Sequence, residues 1–442
     1  MHKNQTSPQR RFWAFVLPAM ASQLLTGFFI IVDGFFIGQT LGDAGLAAIN
    51  LLWPLPAVIL AAGLGIGSGG SVAMATALGR GDRQGALQAR GNTVLALAAA
   101  VLALMGGLWL AFRPALRWLG ADGLLFRYAC DYMVVVILLC GGQVFNSGLN
   151  ALLRGMGRTF AAMAITIYSL LANIFLDWLF IMAWGWGMRG AALATVAAQL
   201  TSALLEAACL VLDRKMPLRA GQLRPDGRLL RRIVFVGLSP FGLSLSSSVL
   251  IMFNNWQCLA LGGQQAVAVY AIVSYLLGSL QPLLSGVGEG AQPLVSFCRG
   301  ADDAAALGAI VRRALRLVCA LGLALCAGSI LLRAAIPPLF GASAATAQSA
   351  GTALVCAALS LPLWGVVRLF SSCFYAAGRT KLSLAFIFGD PLAVSPLCLY
   401  ALPVWFSLDG VWLAAPAAQL LLLAALTAVC AVLRRRGGLF GL

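Results

Sequence analysis

The chain has 442 residues, of which 61% are hydrophobic and only 10% are charged, and its formal net charge is +16. Because soluble proteins carry roughly 25% charged residues, this composition excludes an ordinary soluble domain. The positive charge does not indicate a nucleic-acid partner, since the basic residues lie in short loops between apolar segments, as in membrane proteins.

Twelve apolar segments follow one another along the chain, each long enough to cross about 30 Å of hydrocarbon as a helix. The sequence therefore predicts an all-α polytopic membrane protein whose first helix is not cleaved as a signal peptide. The predicted spans lie near 11–38, 45–79, 89–112, 123–153, 160–184, 189–212, 230–261, 266–298, 306–335, 347–377, 381–405 and 409–433.

Basic side chains are unevenly divided between the two sides of the membrane. The termini, the loops that follow even-numbered spans and the ends of the spans beside these loops hold 24 of the 30 Lys and Arg residues. Cytoplasmic loops are the ones enriched in Lys and Arg. The sequence therefore predicts a multi-pass membrane protein with both termini in the cytoplasm.

The second half of the chain repeats features of the first at an offset of about 221 residues. The sequence "GRT" at 157–159 recurs at 378–380, and the glycines at 65, 67 and 69 recur at 286, 288 and 290. Because each half holds six spans, an even number, both halves enter the membrane in the same direction. This is a parallel repeat, as in two-lobed transporters.

The repeat divides the chain into three predicted parts. These are an N-terminal six-helix lobe with a cation site at 1–213, a basic cytoplasmic linker at 214–229 and a C-terminal six-helix lobe at 230–442. Glycines in the second span of each half, at 63–70 and 286–290, indicate either close helix packing or a hinge. Pro18 in the first span is predicted to be a hinge because it removes a backbone hydrogen bond.

Acidic side chains at membrane depth are the main functional candidates, because a lone carboxylate in hydrocarbon is costly. Asp33 and Asp177 lie at similar predicted depth near the outer ends of the first and fifth spans. Asn173 precedes Asp177 by one helical turn. Tyr132 and Thr195 enter the same layer from the fourth and sixth spans. Two carboxylates with neutral oxygens suit a small hard cation or a shared proton.

The second half of the chain serves as an internal control. At the repeat positions Asp33 corresponds to Asn254, and Thr195 corresponds to Ala415. A purely structural carboxylate would be expected in both halves, so this difference favours a functional ion site. Buried structural hydrogen bonds are the alternative.

Other ionisable groups within the spans have weaker patterns. Glu289 is a candidate for binding a cationic substrate, with structural pairing as the alternative. Asp390 is expected either to be functional or to pair with an arginine such as Arg368 or Arg379. Glu206, like Asp131, is interpreted as a snorkelling or interfacial group.

Several stretches of the sequence resemble the multidrug and toxic compound extrusion family, the MATE transporters. They are "VDGFFIGQTLGDAGLAA", "GIGSGGSVAMATALGRGD", "EGAQPLVSFCRGADD", "AAGRT" and "LDGVWLAAP", which occur in family order over nearly the whole chain. The resemblance implies a V-shaped fold of two six-helix lobes. It also implies a cation site in the N-terminal lobe formed by Asp33, Tyr132, Asn173, Asp177 and Thr195.

Some family members carry a coupling glutamate on the seventh helix. Here that helix offers Asn254 and Asn255 instead. Together with Glu289 and Asp390, these two are candidates for substrate binding or secondary coupling. If the coupling ion is Na⁺, the resemblance implies that it binds at Asp33, Asn173, Asp177 and Thr195.

The predicted function is a secondary antiporter that exports amphipathic, cationic drugs or toxic organic compounds in exchange for inward Na⁺ or H⁺. A flippase for lipid-linked precursors is the first alternative and a membrane-embedded enzyme a remote one, since His2 is the only histidine. No cofactor is expected besides the coupling ion. The expected partners are the small-molecule substrate and the lipid bilayer, with no nucleic acid, and the protein is expected to be a monomer.

Overall fold

A computed structural model describes residues 8–213, 220–339 and 344–435, and within these ranges the chain forms helices and no strand. The helices of the first half are α1 (Pro8–Leu52), α2 (Pro54–Gly79), α3 (Arg83–Trp118), α4 (Gly123–Leu138), α5 (Cys140–Gly155), α6 (Thr159–Asp177) and α7 (Gly187–Val211). Those that follow are α8 (Gly227–Gly300), α9 (Ala304–Leu331), α10 (Ile336–Leu339), α11 (Ala344–Ala376), α12 (Thr380–Gly389), α13 (Ser395–Ala401) and α14 (Pro403–Arg435).

The apolar helices confirm a multi-pass, all-helical membrane protein. Among the described residues, ten helical segments are long and apolar enough to cross a membrane, or up to eleven if α4 and α5 form one bent span. The total of twelve spans stays a prediction.

The first predicted loop is wrong. The sequence placed a break at 39–44, whereas α1 continues as one helix to Leu52 and the next begins at Pro54. Inside the supposed loop, the Thr40 hydroxyl donates to the carbonyl of Phe36, one turn earlier, over 2.9 Å. The helix ends instead where proline, which has no N–H, begins the next one. Residues 45–52 of the second predicted span therefore belong to α1.

The fourth predicted span is also not one straight helix. The chain bends by 59° between α4 and α5. The bend precedes two glycines, and a Cβ atom at Gly142 would lie 3.1 Å from the backbone of Leu200 on α7. Glycine therefore lets α5 approach α7 closely after the bend.

Two long helices contain breaks at single residues with positive φ. Gly263 (φ 62°) divides α8 into segments at 227–263 and 265–300, which lie close to the seventh and eighth predicted spans. Ser407 (φ 49°) interrupts α14 near its start, so the part of α14 after this break begins close to the predicted start at 409.

The glycines of α2 allow close helix packing. A Cβ atom at Gly67 would collide with the backbone of Gly148 on α5, and one at Gly65 would lie 2.7 Å from the carbonyl oxygen of Gly237 on α8. Small residues permit such close approach of membrane helices. The packing interpretation of these glycines is therefore confirmed, whereas the hinge role stays a prediction.

Part of the predicted linker packs against α3. Asn92 Nδ2 donates to the carbonyl of Arg224 (3.2 Å), and its Oδ1 accepts from the N–H of Asp226 (2.8 Å). Arg90 Nη2 donates to Gln222 over 3.0 Å. Residues 220–226 are thus held in place by side chains of the first half, while 214–219 lie outside the described residues.

The chain divides into two compact units, Met1–Ser244 and Leu245–Leu442. Corresponding local features recur in the two halves of the chain. Asp82 and Asp303 each cap the following helix by accepting from the N–H three residues later, over 2.7 and 2.9 Å. Gly157 and Gly378 have φ of 82° and 80°. These local features agree with the predicted repeat, which stays a prediction. The two units divide after Ser244 rather than within the predicted linker at 214–229, and the predicted lobe boundaries also stay predictions.

Candidate cation site

A wide helical turn follows the predicted aspartate of α6. After Asp177, residues Trp178–Ala183 form a π-helical turn, and the N–H of Trp184 donates to the carbonyl of Leu179 over 2.9 Å. Single π-turns inside helices occur frequently at functional sites. Glycines with positive φ at 185 and 187 then lead into α7. The carboxylate of Asp177 thus lies at a local irregularity of the helix.

The structure brings all five predicted cation-site residues together within the Met1–Ser244 unit. They come from α1, α4, α6 and α7, and the exposed fractions are 9% for Asp33, 4% for Tyr132, 0% for Asn173 and Asp177, and 5% for Thr195. Thr195 lies within interaction range of both Asp33 and Tyr132. Asp177 lies within range of Asn173 and of Asp33.

Most oxygen atoms of this cluster lack a hydrogen-bond donor of normal geometry. Among the described residues, no hydrogen bond of normal geometry reaches Asp33 Oδ1, Thr195 Oγ1, Asn173 Oδ1 or either carboxylate oxygen of Asp177, although Thr195 and Asn173 lie close enough to interact with the carboxylates of Asp33 and Asp177. Buried polar atoms in native proteins are almost always paired, and an unpaired one costs about 1–3 kcal/mol. Five buried oxygens from four residues are a ligand set of the kind that suits a hard cation, whereas a proton would neutralise one carboxylate of the pair.

An ion pair lies beside the cluster. Arg189 on α7 donates from Nη2 and Nε to Oδ1 of Asp131 on α4, over 2.8 and 3.1 Å. Their side chains are 68% and 28% exposed, so the pair contributes at most about 1 kcal/mol. Asp131 neighbours Tyr132 in sequence but is neutralised by Arg189, which separates its role from that of the buried carboxylates.

Pro18 lies on the same helix as Asp33, about four turns closer to the N-terminus. Its side chain is buried, and α1 continues through it without a break. Proline removes one backbone hydrogen bond at this point. Its role as a hinge stays a prediction.

A buried polar stripe on α7 was missed by the sequence analysis. It consists of Thr195, Gln199, Ser202 and Glu206, which are 5%, 7%, 0% and 0% exposed. The spacing of four, three and four residues places all of them on one helical face. This spacing is visible in the sequence, because the four polar positions lie on one helical face of a largely apolar span. The stripe extends from the cation cluster over about 16 Å at 1.5 Å per residue.

The snorkelling interpretation of Glu206 is wrong. Its side chain is buried, and Oε1 accepts a hydrogen bond from Asn150 Nδ2 over 2.9 Å. Asn150 also donates to the carbonyl of Ala162 on α6 over 3.2 Å. The Glu206 carboxylate is therefore paired with Asn150 on α5 inside the helix bundle and does not extend to the membrane interface.

In the second half of the chain, Asp390 pairs with Arg368 rather than with Arg379. Arg368 Nη2 donates to Asp390 Oδ2 over 2.9 Å, and the two side chains are 3% and 0% exposed. Ser395 and Gln419 also donate to this carboxylate. Asp390 is thus surrounded by donors, unlike the carboxylates of the first half.

The other tentative residues do not form one cluster with Asp390. Asn254 lines a cavity of the Leu245–Leu442 unit, and its Nδ2 donates to the carbonyl of Leu250 over 2.8 Å. Asn255 and Glu289 are half-buried on α8 and are not among the residues that line this cavity. Their roles in substrate binding or coupling stay predictions.

A family model described as MatE matches residues 18–179 and 241–398, which is more than half of the chain. The chain belongs to the MatE family. The matched ranges contain Asp33, Tyr132, Asn173 and Asp177 of the cluster, whereas Thr195 lies outside them.

Several named proteins are similar to this MatE chain. It is 26% identical to multidrug export protein MepA of Staphylococcus saprophyticus over 66% of this chain and 64% of the relative. It is 28% identical to probable multidrug resistance protein NorM of Thermotoga maritima over 58% and 56%. The match therefore spans less than two thirds of either relative. Probable multidrug resistance protein YoeA of Bacillus subtilis is 24% identical over 94% and 92%.

Solved structures show the same fold. The MatE chain matches a crystal structure of MATE in complex with MaL6 at TM-score 0.89 and 24% identity, over 94% of each chain. An outward-facing multidrug resistance MATE transporter of the MOP superfamily matches with the same values. So does a MOP superfamily transporter from Pyrococcus furiosus. The predicted all-helical MATE fold is confirmed.

Proposed function

We propose that this protein is a secondary active antiporter that exports amphipathic, cationic organic compounds in exchange for inward Na⁺ or H⁺ by alternating access. Its relatives carry the names of multidrug export and multidrug resistance proteins, which supports transport rather than enzymatic chemistry. The comparisons do not favour the lipid-flipping alternative over export. The observation that carries the proposal is the pair of buried carboxylates in the first unit.

The electrostatic repulsion between Asp33 and Asp177 couples ion binding to export in this proposal. Two like charges in a buried site repel each other, so the pair either holds a cation or shares a proton. The oxygens without hydrogen-bond donors support such binding. Asn173 and Thr195 would add neutral oxygens to the two carboxylates around a sodium ion, whereas a proton needs only one carboxylate.

Neutralisation of this pair is the step that drives the conformational change. When a cation or proton removes the repulsion, α1 can pack more closely on α6 and α7 around Asp33. We propose that α1 bends near Pro18 in this step and that the movement reshapes the first lobe, releasing substrate to the outside. The reverse movement follows when the cation leaves to the cytoplasm.

The proposed orientation places both termini in the cytoplasm, in the bacterial inner membrane. The support for this is the asymmetry of basic residues, with 24 of 30 on one side of the predicted spans. We propose that the protein acts as a monomer and needs no cofactor besides the coupling ion.

Efflux of a cationic fluorescent dye from cells that carry the wild-type chain or Asp33→Asn tests the proposal. We expect the wild-type chain to lower dye accumulation and Asp33→Asn to abolish this effect at equal protein amount in the membrane. Unchanged efflux by Asp33→Asn would contradict the coupling role. Absence of efflux by the wild-type chain for a panel of cationic dyes would contradict the export function.

A further inference from the structure

The Leu245–Leu442 unit contains a cavity that the cation site does not explain. Its volume is about 160 Å³, and its lining residues include Tyr270, Trp364, Arg368 and Trp412. An apolar cavity of roughly 150 Å³ holds one benzene ring. The space therefore fits a single aromatic ring, and the one full positive charge among its lining residues belongs to Arg368.

Arg368 has more donors than the protein uses. Its side chain is only 3% exposed, and Nη2 donates to Asp390 over 2.9 Å. Nε and Nη1 have no hydrogen-bond acceptor among the described residues. A guanidinium carries about five N–H donors, three of them on these two nitrogens. The ring of Trp364 lies 5.2 Å from the guanidinium carbon, so this aromatic side chain lies against the cation.

The carboxylate partner is saturated in contrast. Ser395 Oγ donates to Asp390 Oδ1 over 2.6 Å, and Gln419 Nε2 lies 3.3 and 3.2 Å from its two oxygens. With the arginine included, three side chains stabilise the charge of Asp390. Arg368 Nε and Nη1 therefore remain without an acceptor, whereas both carboxylate oxygens of Asp390 already accept hydrogen bonds.

We propose that this cavity binds the carboxylate end of a single-ring aromatic substrate, with Arg368 donating to the carboxylate and the aromatic rings packing on the substrate. Arginine forms short, charge-assisted hydrogen bonds to carboxylates. Because Ser395 and Gln419 hold Asp390, that residue acts as a positioning residue for Arg368. This inference rests on the proposed export function for its physiological meaning and extends the substrate class from cations to aromatic acids.

A direct binding measurement tests the site without any transport step. Purified full-length protein in lipid nanodiscs is titrated with 4-fluorobenzoate, and binding is followed by ¹⁹F NMR line broadening, with 4-fluorobenzamide as the uncharged probe of nearly equal shape. We expect saturable binding of the acid and at least tenfold weaker binding of the amide. Equal binding of the two probes, or no binding of the acid, would overturn the proposal.

Two variants separate the site from general destabilisation. The double variant Arg368→Gln with Asp390→Asn removes the charge while leaving no unpaired buried carboxylate. Ala415→Leu enlarges a lining residue of the cavity that is not part of the ion pair. We expect each to weaken binding of 4-fluorobenzoate at least tenfold, whereas Arg333→Gln, which removes an exposed arginine of the same unit, leaves it unchanged. Wild-type affinity in both site variants would overturn the proposal.

The outcome for binding is independent of the outcome for dye export. If 4-fluorobenzoate binds and the site variants lose it while no cationic dye is exported, the binding site is confirmed and the proposed export function is wrong. If dye export proceeds and the acid does not bind, the proposed function stands and this inference is wrong.

Discussion

The carboxylate of Asp33 on α1 lies within electrostatic range of the carboxylate of Asp177 on α6. Both side chains are buried, and Asp177 is not exposed at all. Among the described residues, no hydrogen-bond donor of normal geometry reaches either oxygen of Asp177 or Oδ1 of Asp33. A pair of this kind is costly for the apo protein and is stabilised when a cation or proton binds.

Replacing Asp177 by asparagine should separate stability from coupling. We expect Asp177→Asn to abolish ion-driven export, because one of the two charges that are proposed to bind the cation is lost. The same change should leave the thermal midpoint in detergent unchanged or raise it, since the repulsion with Asp33 disappears. Export in membrane vesicles and thermal unfolding by intrinsic fluorescence measure the two effects.

The matched control for this variant is Asp131→Asn. Asp131 lies next to Tyr132 but forms an exposed pair with Arg189. Its loss should change the free energy of unfolding by at most about 1 kcal/mol and leave export intact. Equal loss of export in both variants would contradict a role that is specific to the buried pair of Asp33 and Asp177.

Removing the hydroxyl of Thr195 should weaken ion binding without abolishing it. Thr195→Val keeps the shape of the side chain but removes one neutral oxygen. We expect the concentration of coupling ion that gives half-maximal export to rise roughly tenfold, which corresponds to about 1.4 kcal/mol. Export rates measured against ion concentration give this value.

Thr201 on the same helix supplies the control. It is exposed, and its hydroxyl donates to carbonyls of its own helix at Ala197 and Ala198. Thr201→Val should leave the ion dependence unchanged. A shift of the ion dependence in Thr201→Val as large as in Thr195→Val would argue against a direct role of Thr195.

The cluster could be predicted from the sequence because each member has a local signature. Asp33 and Asp177 are acids in apolar helices, and Asn173 lies one turn before Asp177 on the same face. Depth estimated from helix rise then places residues of different helices in one layer. The π-turn after Asp177 could not be predicted, because it is stabilised by backbone hydrogen bonds such as Trp184 to Leu179 that have no residue signature.

Glu206 offers a test of the buried polar stripe. Glu206→Gln retains an oxygen that accepts from Asn150, so we expect the fold to tolerate it. Glu206→Leu leaves the Asn150 amide without this acceptor and should lower the free energy of unfolding by about 1–3 kcal/mol. Chemical or thermal unfolding of both variants in the same detergent compares them. Equal stability of the two would contradict a structural hydrogen bond between Glu206 and Asn150.

The effect of a glycine-to-alanine substitution on stability should depend strongly on whether the glycine lies at a close helix contact, as Gly67 of α2 does. Gly67→Ala places a methyl group against the backbone of Gly148 and should cost about 1–3 kcal/mol, because a close-packed contact between two helices has no room to relax. Gly106→Ala on α3 meets no atom within 4 Å and should be neutral or slightly stabilising. Thermal midpoints of the two variants check this, and equal effects would contradict the packing role.

Long-range packing explains what the sequence could not predict. The segment 39–44 contains glycine and aspartate, which favour loops, yet α1 continues through it to Leu52. Glu206 fits a snorkelling side chain by composition, and only its contact with Asn150, 56 residues away, shows that it is buried. The choice of Arg368 over Arg379 as partner of Asp390 likewise depends on how α11 and α12 pack.

Dye uptake into inverted membrane vesicles, energised in turn by a sodium gradient and by a pH gradient, tests the central claim most directly. The account predicts that one of the two gradients drives uptake by the wild-type chain and that neither drives uptake by Asp33→Asn or Asp177→Asn. Uptake by either variant at the wild-type rate, under the gradient that drives the wild-type chain, would contradict the claim that this carboxylate pair couples ion entry to export.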